Sequence, residues 1–168
     1  MNGPWLVVMG VSGCGKSSLG AALAVGFGLP LIEGDDYHPP ANVEKMSRGI
    51  ALTDADRAGW LATLGQKLAA APQGAVLTCS ALKRSYREQL RAAVPGLRFV
   101  FMEIERAEAE RRVAARAGAG EHTFPASLVA NQFATLESPV GEPGVLAVDA
   151  TEPLGGLVGQ VKAWLPAG

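Results

Sequence analysis

The stretch Gly10-Val11-Ser12-Gly13-Cys14-Gly15-Lys16-Ser17 decides the fold, because it matches the pattern G-x-x-x-x-G-K-[ST] at every fixed position. Glycines in this pattern let the backbone wrap closely around phosphate groups with its amide hydrogens pointing inward. The lysine reaches the β- and γ-phosphates, and the hydroxyl after it binds Mg²⁺. The sequence therefore predicts an ATP or GTP site in which Lys16 is catalytic and Ser17 holds Mg²⁺ through the nucleotide. The residues expected to bind the nucleotide are Gly10, Val11, Ser12, Gly13, Cys14, Gly15, Lys16, Ser17 and Ser18.

The segments on either side of this motif have the character that a phosphate loop requires. Trp5–Met9 is a continuous apolar run, which is typical of a buried parallel strand. Lys16–Phe27 has the Ala- and Leu-rich spacing of a helix, and Gly28 follows as a C-terminal stop. The N-terminus of such a helix attracts anions. The order of strand, loop and helix distinguishes the motif from a chance glycine-rich turn.

The rest of the chain alternates between short apolar runs and helical spacing. The further strands are predicted at Leu31–Glu33, Ala75–Cys79, Arg98–Glu103 and Gly144–Asp149. The further helices are predicted at Asp54–Ala71, Arg84–Ala93, Ala107–Arg116, Pro125–Leu136 and Leu154–Leu165. This alternation predicts an α/β fold of three layers, with a five-stranded parallel sheet between two layers of helices. The core is expected to include Val7, Val8, Leu23, Leu77, Val100 and Val148.

Length, charge and cysteine content exclude several classes of protein. The 168 residues suit one domain, and a net charge of −1 lacks the basic surface of a general nucleic-acid binder. Two cysteines, Cys14 and Cys79, make neither a disulfide framework nor a zinc site. The longest nearly apolar run, Leu19–Ile32, is too short to span a bilayer, and Met1–Pro4 has no basic region of a secretory signal. We therefore expect one cytoplasmic domain, 1–168, with neither nucleic acid nor membrane as a partner.

Two large classes of phosphate-loop protein have motifs that this sequence lacks. The third predicted strand ends Leu77-Thr78-Cys79-Ser80, without the acidic residue usual in motor ATPases and signalling GTPases. No Asn-Lys-x-Asp motif for reading guanine occurs either. A compact nucleoside or small-molecule kinase remains, and such an enzyme works by positioning phosphates and shielding their charge.

Polar segments at the ends of predicted strands and helices could serve such an enzyme. Ligands bind at the carboxyl ends of strands in open parallel sheets, so Asp35 could accept a proton from a hydroxyl and Lys83 could face an anionic substrate. Arg112 and Arg116 lie four residues apart on one helix face and could meet the transferred phosphate. Each segment has a structural alternative: an Asp-rich turn, a solvated helix start, and a charged face on which Glu108 pairs with Arg112.

Five segments carry a specific family resemblance. They are GVSGCGKSS at Gly10–Ser18, EGDDYHPPANVEKMSRG at Glu33–Gly49, LTDADRAGWL at Leu52–Leu61, CSALKRSYREQLR at Cys79–Arg91 and LVANQFATLE at Leu128–Glu137. Together they resemble gluconate kinase (gluconokinase) of the small P-loop type. The phosphate loop is shared by many families, whereas the Gly-Asp-x-x-His-Pro and Ser-Ala-Leu-Lys-x-x-Tyr-Arg segments are more specific.

The resemblance implies a fold like that of nucleoside monophosphate and shikimate kinases, with a short lid at about 117–125, in a homodimer. It implies transfer of phosphate from ATP, with Mg²⁺, to the 6-hydroxyl of D-gluconate, giving 6-phosphogluconate and ADP. A shikimate- or nucleotide-type kinase on the same fold, or an ATP-binding protein with weak turnover, is the alternative.

The same resemblance assigns roles to residues outside the phosphate loop. Matched by position, Asp35 would orient or deprotonate the substrate hydroxyl, and Arg116 would act at the edge of the lid as a catalytic residue. Arg112 is a candidate for contact with ATP. The further candidates for binding gluconate are His38, Arg57, Lys83 and Arg87.

Overall fold

A five-stranded parallel sheet is the centre of the molecule in the computed structural model, which describes residues 3–118 and 127–166. The strands of this part of the chain are β1 Trp5–Met9, β2 Leu31–Glu33, β3 Ala75–Thr78, β4 Arg98–Glu103 and β5 Val145–Asp149. Their order in space is β2-β3-β1-β4-β5, and every neighbouring pair is parallel. The prediction of an α/β fold with this sheet is confirmed, and the strand boundaries differ from the prediction by one residue at most.

Helices precede or follow each strand in the described ranges. They are α1 Lys16–Phe27, α2 Pro40–Ser47, α3 Asp54–Ala69, α4 Arg84–Ala93, α5 Arg106–Gly118, α6 Ser127–Thr135 and α7 Leu154–Trp164. A short 3₁₀ helix, Gly34–Tyr37, joins β2 to α2. None of the described helices is both long and apolar enough to cross a membrane.

The two faces of the sheet bury separate hydrophobic clusters. Val8 and Val100 face a layer that includes α1 and α7, whereas Val7 and Leu77 face the layer of α3 and α4. Alternate residues of a strand point to opposite faces, so each buried strand supplies both clusters. All six predicted core residues are buried, and the three-layer arrangement is confirmed.

The sequence prediction missed one helix. No helix is predicted between Leu31–Glu33 and Asp54–Ala71, but Gly34–Tyr37 forms the 3₁₀ helix and Pro40–Ser47 forms α2. Asn42 is the buried residue of α2, while Val43 is 47% exposed. The helix therefore lacks the buried apolar stripe on which a periodicity argument depends.

The predicted lid at about 117–125 lies almost entirely outside the described residues. Helix α5 is described as far as Gly118 and α6 from Ser127, so the start of the helix predicted from Pro125 also lies outside the described residues. The lid and the assignment of 1–168 to a single domain stay predictions.

Candidate active site

The phosphate loop connects β1 to α1 and packs against α5. Gly13 has a φ of 88°, and a Cβ atom there would lie 2.8 Å from the carbonyl oxygen of Ala109. Only glycine fits both that conformation and that contact. The Lys16 ammonium donates hydrogen bonds to the carbonyl oxygens of Gly10 and Val11, at 3.0 and 3.2 Å, so it is held over the loop.

Arg112 joins this loop to the turn after β5. Its guanidinium donates to the carbonyl oxygens of Gly13 at 3.3 Å and Ala150 at 3.2 Å, and also to the Glu108 carboxylate at 2.9 Å. Hydrogen bonds from Arg111 and then Arg112 lower the pKa of Glu108 to about 2. Arg112 therefore pairs with Glu108 on the helix face, as the structural alternative predicts, and it also contacts the phosphate loop.

An acidic side chain that the sequence analysis missed lies beside Ser17. Oε2 of Glu33 accepts hydrogen bonds from the Ser17 hydroxyl at 3.2 Å and from the Thr78 hydroxyl at 2.5 Å. The acid had been sought after β3, but it comes from the end of β2, whose Glu33 pairs in register with Thr78. Mg²⁺ prefers oxygen ligands and one or two carboxylates, so this set of donors fits a nucleotide-bound magnesium ion.

The turn after β2 fixes the position of Asp35. A Cβ atom on Gly34 would lie 2.3 Å from the carbonyl oxygen of Thr78, so the chain passes β3 at a distance that only glycine permits. The Trp60 indole donates to the carbonyl oxygen of Gly34 at 2.7 Å and anchors the turn to α3. The Asp35 side chain that follows is 89% exposed and lines the cleft.

The His38 imidazole is held in a fixed position that faces Asp35. Its ring stacks on Trp60 with centroids 4.0 Å apart, and the Asn42 amide donates to Nδ1 at 3.3 Å. With Nδ1 as the acceptor, the ring hydrogen is on Nε2, which lies 3.7 Å from Oδ1 of Asp35. Burial lowers the pKa of His38 and the charge of Arg57 lowers it further, against the opposing effect of Asp35.

Several of these groups line one cleft of about 600 Å³, a volume that includes the part open to solvent. Five of the predicted site residues meet there, namely Ser12, Lys16, Asp35, His38 and Arg57. The remaining lining residues are Met46, Ala51, Leu52, Trp60, Ser80, Leu128, Asn131 and Gln132. The cleft therefore combines the nucleotide loop with a carboxylate, an imidazole and a guanidinium.

Arg57 and Lys83 share a hydrogen-bonded cluster at the start of α3 and α4. Arg57 donates to the Tyr86 hydroxyl at 2.8 Å, and that hydroxyl donates to the Asp54 carboxylate. Lys83 donates to the same carboxylate at 2.9 Å. Hydrogen bonds from Tyr86 and then from Lys83 lower the pKa of Asp54. Arg57 thus has a fixed place in the cleft. Lys83 is paired with Asp54 and is not among the residues that line the cleft in the described part of the chain.

The structure does not bring Arg87 to the cleft, although it was a candidate for binding substrate. Its side chain is completely buried, and it pairs with Glu142 at 2.7 Å. It also donates to the carbonyl oxygens of Ala81 at 2.7 Å and Glu137 at 2.9 Å. Burial opposes ionisation of Glu142, but hydrogen bonds from Arg87 and Arg91 nevertheless lower its pKa. Arg87 therefore joins the turn after β3 to the loop after α6.

Arg116 lies in the last turn of α5 with an exposed side chain. It is not among the residues that line the cleft in the described part of the chain. The segment that follows it, 119–126, is outside the described residues, so the catalytic role of Arg116 stays a prediction.

Comparison with known proteins gives a consistent family. The model of the AAA domain family matches residues 6–139. The gluconokinase of Gluconobacter oxydans is 52% identical, covering 86% of this chain and 81% of that protein. The thermoresistant gluconokinase of Escherichia coli is 38% identical, covering 90% of this chain and 87% of that protein.

A solved structure agrees with the sequence relatives. The crystal structure of a gluconokinase from Sinorhizobium meliloti superposes with a TM-score of 0.86 at 49% identity, and the match covers 95% of this chain and 89% of that one. The phosphate loop and all residues that line the cleft fall inside residues 6–139, which the family model matches. The chain therefore belongs to the gluconokinase family of P-loop kinases.

Proposed function

We propose that this protein transfers the γ-phosphate of ATP to the 6-hydroxyl of D-gluconate, giving 6-phosphogluconate and ADP. One observation carries the proposal: in a chain of the gluconokinase family, Lys16 of the phosphate loop and Asp35 line the same cleft. A phosphate donor and a hydroxylated acceptor bound to these two groups would meet without further rearrangement of the sheet.

The phosphate loop supplies the donor side of the reaction. The backbone amides of Gly13 to Ser18 and the N-terminus of α1 bind the phosphates, and the Lys16 ammonium turns from the loop carbonyls to the β- and γ-phosphates. Ser17 and Glu33 would hold Mg²⁺, which neutralises charge on those phosphates when it is bound with ATP. Arg112 sits where it can add positive charge, since it already contacts the carbonyl oxygen of Gly13.

Asp35 and its neighbours supply the acceptor side. The Asp35 carboxylate accepts a hydrogen bond from the reacting hydroxyl and orients it, and it takes the proton as the phosphoryl group transfers. Nε2 of His38 faces the Asp35 carboxylate at 3.7 Å, which is too long for a direct hydrogen bond, so His38 acts on Asp35 only through its nearby polar ring edge. The Arg57 guanidinium has the geometry to pair with the carboxylate of a sugar acid.

The lid would close over this arrangement. We propose that Arg116, at the end of α5, brings its charge to the transferred phosphoryl group when both substrates are bound. Closure excludes water and limits the wasteful hydrolysis of ATP. A homodimer in the cytoplasm completes the proposal, supported by the family resemblance, and light scattering on the purified protein tests the dimer.

A coupled assay with ATP, Mg²⁺ and a panel of acceptors tests the reaction. We expect turnover with gluconate to exceed turnover with shikimate and with nucleoside monophosphates. Preference for one of those acceptors would overturn the choice of substrate. Folded protein that binds ATP but turns over none of them would favour an ATP-binding protein with weak turnover.

A pair of neighbouring aspartates tests the role of Asp35. Asp35→Asn should lower kcat by about 100-fold with little change in the Kd of ATP, because it removes a proton acceptor from the transition state. Asp36→Asn is the matched control, since Asp36 is exposed on the same 3₁₀ helix and does not line the cleft. Equal losses of kcat and ATP affinity in Asp35→Asn would instead mean that Asp35 organises the metal or the loop and is not the proton acceptor.

A further inference from the structure

The segment Leu128–Glu137 was part of the family resemblance, but no role in the reaction has been given to it. It forms most of α6 and the start of the loop after it. Leu128 and Val129 are buried, while Asn131 and Gln132 line the cleft beside Lys16 and Asp35. This segment therefore contributes polar side chains to the site as well as apolar ones to the core.

Gln132 makes a direct contact with the phosphate loop. Its side-chain oxygen, Oε1, accepts a hydrogen bond from the backbone N–H of Ser12 at 2.6 Å. The Gln132 residue is 9% exposed, so water competes little for this contact. Ser12 and Lys16 are the two residues of the loop that line the cleft with Asp35. Gln132 therefore acts on the end of the loop that faces the acceptor.

The far end of the same segment is fixed to the turn after β3. The Glu137 N–H donates to the carbonyl oxygen of Leu82 at 2.8 Å, and the Glu137 carboxylate accepts from the backbone N–H of Arg84 at 2.8 Å. Ser80, in the same turn, lines the cleft. Helix α6 thus connects the donor loop, through Gln132, with a wall of the acceptor pocket.

We infer that Gln132 is a positioning residue for phosphoryl transfer, which fixes the cleft end of the phosphate loop relative to the acceptor. The inference rests on the proposed function. An oriented backbone amide stabilises developing charge only if it does not have to reorganise during the reaction. Glutamine suits this position because its oxygen accepts the hydrogen bond without bringing negative charge towards a phosphate. The Ser12 amide is committed to Gln132, and the Cys14 amide donates to the carbonyl oxygen of Val11 at 3.3 Å, so ADP is bound by the other amides of the loop.

Two substitutions separate positioning from simple support of the fold. Gln132→Met has nearly the same volume but no acceptor, and it should lower kcat by roughly 10-fold while the Kd of ADP changes by less than about threefold. Gln132→Glu keeps an acceptor for the Ser12 N–H but adds charge, so it should weaken ATP binding more than ADP binding. Gln89→Met is the matched control, because Gln89 binds the carbonyl oxygen of Ala58 on an exposed surface.

The measurements are steady-state kinetics with gluconate, calorimetric titration with ADP and with a non-hydrolysable ATP analogue, and thermal unfolding. Wild-type kcat in Gln132→Met would overturn the inference. A parallel loss of kcat and ADP affinity in Gln132→Met would also overturn the inference, as would equal weakening of ATP and ADP binding in Gln132→Glu. Either result would mean that Gln132 only stabilises the fold of the loop. Failure of the wild-type protein to phosphorylate gluconate would instead refute the proposed function, and the nucleotide titrations of Gln132→Glu would still decide the contact with the loop.

Discussion

Replacing Arg87 with Met should weaken the fold rather than substrate binding. Arg87 is completely buried, and its guanidinium donates to the Glu142 carboxylate at 3.0 and 2.7 Å and to the carbonyl oxygens of Ala81 and Glu137. Methionine fills much of the same volume but donates no hydrogen bond. The substitution therefore leaves the Glu142 carboxylate, the buried carbonyl oxygen of Ala81 and the partly buried carbonyl oxygen of Glu137 without these donors.

The size of the loss follows from what remains around Glu142. Removing one partner of a buried ion pair costs about 3–5 kcal/mol, because the other charge stays desolvated. Arg91 still lies 3.0 Å from Glu142 and compensates part of that charge, so we expect a loss near the lower end, about 3 kcal/mol. At about 2–4 °C for each kcal/mol in a protein of this size, the thermal midpoint should fall by roughly 6–12 °C.

Urea and thermal unfolding measure this loss, and kinetics with gluconate show where Arg87 acts. Arg84→Met is the matched control, because the Arg84 side chain is 65% exposed and lies 3.8 Å from Glu88; it should change stability by less than about 0.5 kcal/mol. The KM for gluconate in Arg87→Met should stay within about threefold of wild type at a temperature where both are folded. Adding Glu142→Gln should recover about 1 kcal/mol, since it removes the stranded charge.

Two results would refute this reasoning about Arg87. A stability loss below about 1 kcal/mol would mean that the buried network contributes little to the fold. An unchanged stability together with a tenfold rise in the KM for gluconate would restore Arg87 as a substrate ligand, as the family resemblance implies.

Three further predictions, tested with four substitutions, concern the geometry of the site. Gly34→Ala should lower the free energy of unfolding by more than about 2 kcal/mol, because the new Cβ would lie 2.3 Å from the carbonyl oxygen of Thr78. The control Gly59→Ala, whose Cβ would lie in open space on α3, should raise the free energy of unfolding by about 0.5–1 kcal/mol. Thermal unfolding measures both changes. Burial lowers the pKa of His38 in the folded protein, so on acidification the unfolded chain binds a proton at this histidine before the folded chain does. The free energy of unfolding should therefore fall as pH drops below 6.5. Urea unfolding at pH 7.5 and 5.5 measures this fall, which should be smaller in His38→Gln. Lys16→Met should lower kcat/KM by about 100-fold or more in the coupled assay with little change in the thermal midpoint, and near-wild-type activity would contradict the loop assignment.

The sequence was sufficient wherever a residue's role depends on its immediate neighbours. The phosphate loop follows from eight consecutive residues, and the strands of the sheet are short apolar runs whose period needs no tertiary information. Helix α2 was missed because Asn42 is its buried residue, so no apolar periodicity marks it. Asp35 and Lys16 could be placed in one site from sequence because both follow strands at the same edge of the sheet.

Arg87 shows why other residues could not be placed in this way. Its neighbours in sequence, such as Lys83 and Tyr86, belong to the cluster at the edge of the cleft, so the motif as a whole points to substrate. Arg87, however, lies on the buried face of α4, and its partner Glu142 lies in a loop 55 residues later in the chain. Whether an arginine binds a ligand or a buried carboxylate depends on that distant partner, and local spacing contains no information about it.

Glu33 makes the same argument for the metal side of the reaction. The absence of an acid after β3 excluded the signalling and motor classes correctly, but it did not mean that the site lacks an acid. In a parallel sheet, strands in register end at the same edge, so a carboxylate at the end of β2 reaches the position next to Thr78 of β3. The Ser17 hydroxyl meets Glu33 there at 3.2 Å. The site therefore needs a carboxylate at a given position on the sheet edge. A residue at the end of the neighbouring strand can supply that carboxylate as well as a residue at the end of β3.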